Sequence, residues 1–146
     1  VHGFQLQRYL RSWYEIARLD HSFERGLQDI RAEYQLNADG SVRVLNSGFD
    51  PEQGQRTLAE GKARFIATPD VGRLEVSFFG PFYGAYNIIA LDKDHYQYVM
   101  IAGPNREYLW ILARTPQLPA TILDALLTQA GQQGFAVDQL IYDQHP

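Results

Sequence analysis

Few residues in this sequence are arranged for catalysis. Glu15 follows Trp13 by two positions, so in a regular strand its carboxylate points inward, either bonded to a Tyr hydroxyl or an Arg, or serving as a polar anchor in a cavity. His21 lies beside Phe23 in a charged loop, where a surface or capping role is the ordinary one. We predict no catalytic residue, no metal site and no cofactor, because the chain has no cysteine, no nucleophile or phosphate-binding motif and no ligand spacing around its histidines.

Aromatic residues are the stronger chemical signal, since they form 13% of the chain. Trp13 and Tyr14 stand side by side in a strand-like stretch, and residues 78–87 contain a further dense group of Phe and Tyr. Such large apolar side chains need an interior to fill or a ligand to hold.

Alternation of apolar and polar residues predicts the strands that would position these side chains. In residues 30–37 the apolar residues fall on one face, and Asp39-Gly40 then fits a tight hairpin turn. Similar runs between short turns predict about eight antiparallel strands. After them, apolar residues at helical spacing predict a helix that begins after Pro119 and ends at Gly131 or Gly134, followed by a short final strand.

A closed barrel fits these elements best, because nearly every connection is short and closure removes exposed strand edges. The predicted fold is therefore all-β: an eight-stranded antiparallel up-and-down β-barrel with a C-terminal α-helix and a short final strand, as a single domain over residues 1–146. An eight-stranded barrel is either filled by its side chains or holds one small ligand. Strand parity places inward Tyr34, Val42, Val44, Phe65, Val76, Phe78, Tyr86, Ile88, Tyr98, Met100, Tyr108, Trp110 and Leu112.

Composition and charge exclude several classes of partner. The net charge is −4 and no basic run occurs, so we expect no nucleic acid partner. No apolar run approaches the ~18 residues that a membrane-spanning helix needs. The chain begins at Val1 without a signal-peptide pattern, so the compartment is not readable from the residues alone.

Four stretches carry a family resemblance: residues 12–27, 77–92 and 103–116, and the C-terminal residues 134–146. They resemble the bacterial outer-membrane lipoprotein branch of the lipocalin family. The resemblance implies that Trp13 and Arg114 are structural motif residues that close the barrel floor. Arg11 stands where the family motif has Gly, which implies that the chain bend here accepts a residue with a side chain or is shifted.

The resemblance also implies a hollow barrel that binds small hydrophobic molecules, most simply fatty acids or lysophospholipids. It implies a place at the bacterial outer membrane or in the periplasm, with a lipid anchor upstream of Val1. His21 and Phe23 are then expected in a loop over the mouth of the barrel. The expected cavity residues are Tyr34, Phe65, Phe78, Tyr83, Tyr86, Tyr98 and Trp110.

Other interpretations stay open from the sequence. A lipid-modifying isomerase or cyclase on the same barrel would use Glu15 or His21 as acid and base. A filled barrel would instead act as an interaction module through its outer surface. Outward apolar residues are compatible with a homodimer and equally with packing of the helix on the barrel; they are Ile66, Phe79 and Ile89.

Overall fold

The computed structural model of the chain describes residues 1–20, 25–79, 82–143 and 145, with the backbone alone at positions 78, 79, 82 and 83. The predicted mouth-loop residues His21 and Phe23 lie outside this description. The side chains of the predicted cavity residues Phe78 and Tyr83 also lie outside it, so these four assignments stay predictions.

The strands form a meander that is preceded by one short helix and followed by a longer one. The order is α1 (Leu6–Tyr9), β1 (Arg11–Arg18), β2 (Gln28–Leu36), β3 (Val42–Asp50), β4 (Gln55–Phe65), β5 (Arg73–Phe79), β6 (Phe82–Leu91), β7 (Tyr98–Ala102), β8 (Leu109–Ala113), α2 (Ala120–Gln132), a 3-10 turn (Val137–Gln139) and β9 (Ile141–Tyr142).

The sheet closes on itself. Each strand from β2 to β7 pairs with the next in antiparallel fashion. β1 pairs with both β8 and β2, while β9 adds to β1 outside this ring. The predicted eight-stranded barrel with its helix and short last strand is confirmed. We call the end that carries α1 and the β2–β3 turn the closed end, and the opposite end, where the β3–β4 turn lies, the open end.

The boundaries of α2 follow local chemistry. Pro119 lies just before the first helical residue, where a missing N–H costs no hydrogen bond. Gly134 has a φ of +92°, and a Cβ there would lie 2.8 Å from the Nε atom of Arg106. Gly134 therefore fits the chain reversal after the helix for two reasons, its positive φ and its close neighbour.

Two apolar clusters share the same strands. One fills the lower barrel interior, and the other lies between the barrel wall and α2, where Met100 and Ile111 meet Leu126 and Ala130. The prediction that Tyr98 and Met100 face the interior is wrong, because both belong to or pack against this outer cluster. The parity was ambiguous since α2 covers the outside of β7, which is therefore apolar on both faces; Val99 and Ile101 face inward instead. Ile89 also packs toward the helix.

Candidate functional site

Trp13 and Arg114 close the barrel floor. Trp13 is fully buried, and its indole N–H donates to the backbone carbonyl of Tyr9 at 2.8 Å. The guanidinium carbon of Arg114 lies 3.8 Å from the centroid of the Trp13 ring, within the range of a cation–π contact. Arg114 also donates to the carbonyls of Arg8 at 2.7 Å and Ser12 at 2.9 Å. The pair thus ties α1 and β1 to the end of β8.

Arg11 marks where the chain bends from α1 into β1. Its φ is +81°, in the left-handed region that L-residues avoid, and it is exposed to solvent. Of the two possibilities that the sequence left open, the bend accepts a residue with a side chain. The backbone at Arg11 has the conformation that suits glycine, so Arg11 is strained.

Three tyrosine hydroxyls meet above this floor. The hydroxyl of Tyr86 shares a hydrogen bond with that of Tyr34 at 2.8 Å and a second with that of Tyr9. Burial raises the pKa of Tyr9 and of Tyr86 well above the usual 10, so both stay neutral. Tyr34 and Tyr86 were predicted to face inward and do so.

Residues of the N-terminal segment complete the floor, and sequence reasoning missed them. Tyr9 and Phe4 are buried, and their ring centroids lie 5.2 Å apart in an edge-on arrangement. Phe65, a predicted cavity residue, packs on this cluster with its centroid 6.0 Å from that of Phe4. Phe65 therefore belongs to the floor. Tyr9 lies on the short helix before β1, so the strand alternation used in the sequence analysis gave no signal for it.

Toward the open end the inner wall is built from small residues. β3 and β4 pair in continuous register, and the inward Val44 lies opposite Gly61. The next inward positions on β4 are therefore Ala59 and Thr57, and both are exposed to solvent. Solvent thus reaches the inner face of the wall above the aromatic floor. We call this region the upper interior.

A buried ion pair lies on the opposite side of the upper interior. Glu15 and Arg18 are 1% and 3% exposed, and their charged atoms are 2.8 Å apart. An irregularity in β1 between Glu15 and Ala17 turns Arg18 to the same face as Glu15. Arg18 also donates to the carbonyl of Leu27 at 3.3 Å. Of the alternatives in the sequence analysis, the structure therefore shows the carboxylate of Glu15 bonded to an Arg.

Trp110 lies at the level of this ion pair. It pairs with Ile101 on β7 and with Arg18 on β1, and its half-buried side chain packs against the interior cluster. The structure thus brings four of the seven predicted cavity residues to the interior. Three of them belong to the floor and Trp110 alone lies higher; they are Tyr34, Phe65, Tyr86 and Trp110.

Two further findings concern only the described part of the chain. There, no group of three or more His, Asp or Glu side chains is placed to hold a metal ion. In the same residues, neither helix has the length and apolar character that crossing a bilayer would require.

Comparison with known proteins agrees with this geometry. The family model described as a lipocalin-like domain matches residues 4–145. Over 144 residues the chain is 50% identical to the outer membrane lipoprotein Blc of Vibrio cholerae serotype O1. The alignment covers 99% of this chain and 84% of that protein. The chain belongs to the lipocalin family. Membership implies that this lipocalin binds small hydrophobic molecules.

Other relatives of this lipocalin show how widely the sequence is shared. It is 48% identical over 146 residues to the outer membrane lipoprotein Blc of Escherichia coli strain K12, covering all of this chain and 82% of that protein. It is 36% identical to temperature-induced lipocalin-1 of Arabidopsis thaliana, covering 96% and 78%. Insecticyanin of the tobacco hornworm Manduca sexta superposes with a TM-score of 0.79 at 21% identity, covering 100% and 83%, and this likeness concerns the fold.

Proposed function

We propose that this lipocalin reversibly binds a fatty acid or a lysophospholipid in the upper interior and carries it within the bacterial envelope. The acyl chain points down toward Tyr86, and the polar head stays near the open end, at the level of Trp110 and Arg18. The observation that supports this most is the solvent-exposed inner wall at Ala59 and Thr57, above a floor that side chains fill.

The energetics favour a long apolar chain in such a space. Each methylene group that leaves water contributes roughly 0.8 kcal/mol. Trp110 offers an apolar surface with one N–H donor, which suits the junction between an acyl chain and its head. The exposed inner wall argues against the filled barrel of an interaction module.

Binding also fits the polar groups better than catalysis does. The carboxylate of Glu15 is held by the guanidinium of Arg18, and the hydroxyls of Tyr9 and Tyr86 stay protonated because burial raises their pKa. A general acid and base would need groups that exchange protons near the operating pH. The described interior residues do not offer such a pair.

The names of two relatives, outer membrane lipoprotein, support a place at the outer membrane. We propose the same place for this chain, held by a lipid anchor upstream of Val1, with the periplasm as the alternative. Fractionation of cells that produce the full-length protein tests this. A protein found wholly in the cytoplasm would contradict it.

Ligand binding is tested by titrating delipidated protein with a fluorescent long-chain fatty acid and displacing it with oleate or with lysophosphatidylcholine. We expect both competitors to displace the probe. Ala59→Trp narrows the upper interior, so the affinity for the probe is expected to fall at least tenfold, which corresponds to the roughly 1.4 kcal/mol lost with about two buried methylenes.

The matched control is Leu58→Trp, because Leu58 is the neighbour of Ala59, is 69% exposed and faces outward on β4. We expect its affinity to stay within twofold of the parent protein. Absence of probe binding in folded, lipid-free protein would refute the proposed function. Equal losses in both variants would refute its location in the upper interior.

A further inference from the structure

The β1–β2 seam of the barrel is closed by a backbone ladder only near the closed end. The two strands pair from Arg11 with Tyr34 to Tyr14 with Arg31. Beyond these pairs, the C-terminal end of the chain lies along β1: β9 pairs with Ala17 and Arg18, and the N–H of Asp143 donates to the carbonyl of Ile16 at 3.0 Å. We call Ile141–Asp143 together with His145 the clasp.

The clasp reaches β2 through side chains. The carboxylate of Asp143 accepts the backbone N–H groups of Asp29 at 3.0 Å and of Ile30 at 2.6 Å. β2 is irregular here, since its register with β3 shifts between Gln28 and Arg31, and Asp29 has a φ of +48°. A single carboxylate therefore takes the place that strand pairing would have between β1 and β2.

The side chain of His145 bridges the same seam and is 2% exposed. Its Nδ1 lies 2.6 Å from a carboxylate oxygen of Asp29 on β2, and its Nε2 lies 2.6 Å from the carbonyl oxygen of Glu15 on β1. Both partner atoms are acceptors, so both ring nitrogens must donate, and only the imidazolium form has two N–H groups. If the ring lost one proton, one of its nitrogens would face an oxygen acceptor with no hydrogen between them, at the contact with either Asp29 or Glu15.

Several charged and aromatic groups surround the ring of His145. A carboxylate oxygen of Asp143 lies 3.6 Å from the Nε2 atom of His145. The ring of Tyr14 on β1 meets the imidazole edge-on, with the ring centroids 5.1 Å apart. On the other side Arg31 of β2 and Arg56 of β4 both bind the carboxylate of Asp29. Burial raises the pKa of Asp29, but the hydrogen bonds from His145, Arg31 and Arg56 outweigh it, so the pKa lies below its usual value.

The inner side of this seam faces the interior of the barrel. Ile30 is buried, and its Cγ1 atom lies against inward-facing Gly48 of β3, 3.2 Å from where a Cβ would be. The Glu15–Arg18 ion pair lies beside it on β1. Detaching the clasp would therefore leave a lateral slot between β1 and β2, with an apolar rim at Ile30.

We propose that the clasp is a protonation-dependent closure of the β1–β2 seam and that an acyl ligand leaves the barrel more readily when it opens. The second half of this proposal rests on the proposed function. The protonated His145 holds the seam, so raising the pH until the ring loses its proton opens it. Strong acid opens it as well, because Asp29 then loses its charge.

The seam itself is tested without any ligand, by amide hydrogen exchange of Asp29 and Ile30 between pH 5 and 9, corrected for the intrinsic pH dependence of exchange. In the parent protein we expect protection of both amides to fall about tenfold or more across this range, the size expected when a hydrogen bond to a charged group is lost. In His145→Gln, which carries no titrating ring, we expect protection to be low at every pH. The matched control is His95→Gln, since His95 is exposed in the β6–β7 loop at the closed end; it should behave as the parent protein.

A second arm measures release of the fluorescent long-chain fatty acid by stopped flow over the same pH range. We expect release to accelerate with pH in the parent protein and in His95→Gln, and to be fast and independent of pH in His145→Gln. Two-dimensional 15N spectra of the His145 ring report its protonation, and loss of the ring proton should coincide with the loss of amide protection.

The outcomes separate the two proposals. Equal amide protection in the parent protein and His145→Gln at all pH values would overturn the clasp, whatever the lipid results. A pH-dependent seam with pH-independent release would overturn its role as an exit. Failure of folded, lipid-free protein to bind the probe would refute the proposed function alone, because the amide arm needs no ligand.

Discussion

Two seams of this barrel begin alike and end differently. β1 and β2 pair over four positions next to the closed end, and so do β4 and β5, from Lys62 with Ser77 to Phe65 with Leu74. Above its ladder the first seam is filled by the clasp and backed by a buried ion pair. Above the second, β4 continues through Gln55–Gly61 with its inner face open to solvent.

The difference shows how one barrel meets two demands. At both seams backbone pairing closes the lower half around a filled floor. In the upper half, the first seam is held by side chains and the ladder of the second ends at Lys62. The first seam is held by buried charges and is sensitive to their loss, whereas the ion pair across the second, Arg64 with Glu75, is partly exposed and contributes little. The following three predictions test this contrast.

The largest effect is expected from Glu15→Ala at the first seam. It leaves the guanidinium of Arg18 buried without its carboxylate, so the free energy of unfolding should fall by about 3–5 kcal/mol in urea denaturation. The control is Glu75→Ala at the second seam, whose ion pair with Arg64 joins β5 to β4, is 29% and 54% exposed, and should contribute under ~1 kcal/mol. Similar losses in both variants would abolish the contrast between the seams.

A smaller effect is expected from acid. Because the pKa of Asp29 is lower in the folded protein than in the unfolded chain, the unfolded chain takes up its proton first as the pH falls. The stability that Asp29 contributes is therefore present at neutral pH and lost in acid. Denaturation between pH 3 and 7 should show a shallower acid loss in Asp29→Asn than in the parent protein.

Asp124→Asn is the matched control for Asp29→Asn, since Asp124 is exposed on α2 away from both seams. It should keep the acid slope of the parent protein. A parent-like slope in Asp29→Asn would show that the cluster at the first seam does not govern the acid response.

The smallest effect is expected at the closed end, where neither seam is open. Arg11→Gly removes the strain of a left-handed residue but adds freedom to the unfolded chain, so we expect a net gain of roughly 0.5–1 kcal/mol. Ser12→Gly, one residue further along β1, should lose a similar amount because its backbone is not strained. Thermal unfolding of both variants checks the signs; a loss in Arg11→Gly would mean that its side chain contributes more than its backbone costs.

The sequence was most informative where the two faces of a strand or helix differ in polarity. Alternation in β2 places Tyr34 inward correctly, and Pro119 and Gly134 mark the limits of α2. It misled at β7, where the helix covers the outer face and both Tyr98 and Val99 look like interior residues. An apolar run buried on both sides carries no parity signal.

The clasp lay beyond sequence reasoning for another reason. Asp143 and His145 stand among polar residues at the end of the chain, and their partners Asp29 and Glu15 are more than a hundred positions away. Local patterns describe strands and turns, but they do not report which distant backbone groups lack a neighbour. Tyr9 was missed similarly, because it joins the floor from α1 and outside the strands.

The tyrosine hydroxyls at the base of the interior have a consequence for the orientation of a guest. Tyr9 and Tyr34 both bond to Tyr86, so these polar atoms find their partners among themselves. The base then requires neither a trapped water molecule nor a polar group from below to satisfy it, and a terminal methyl can rest there without cost. Which end of an amphiphile goes in first is therefore decided at the rim.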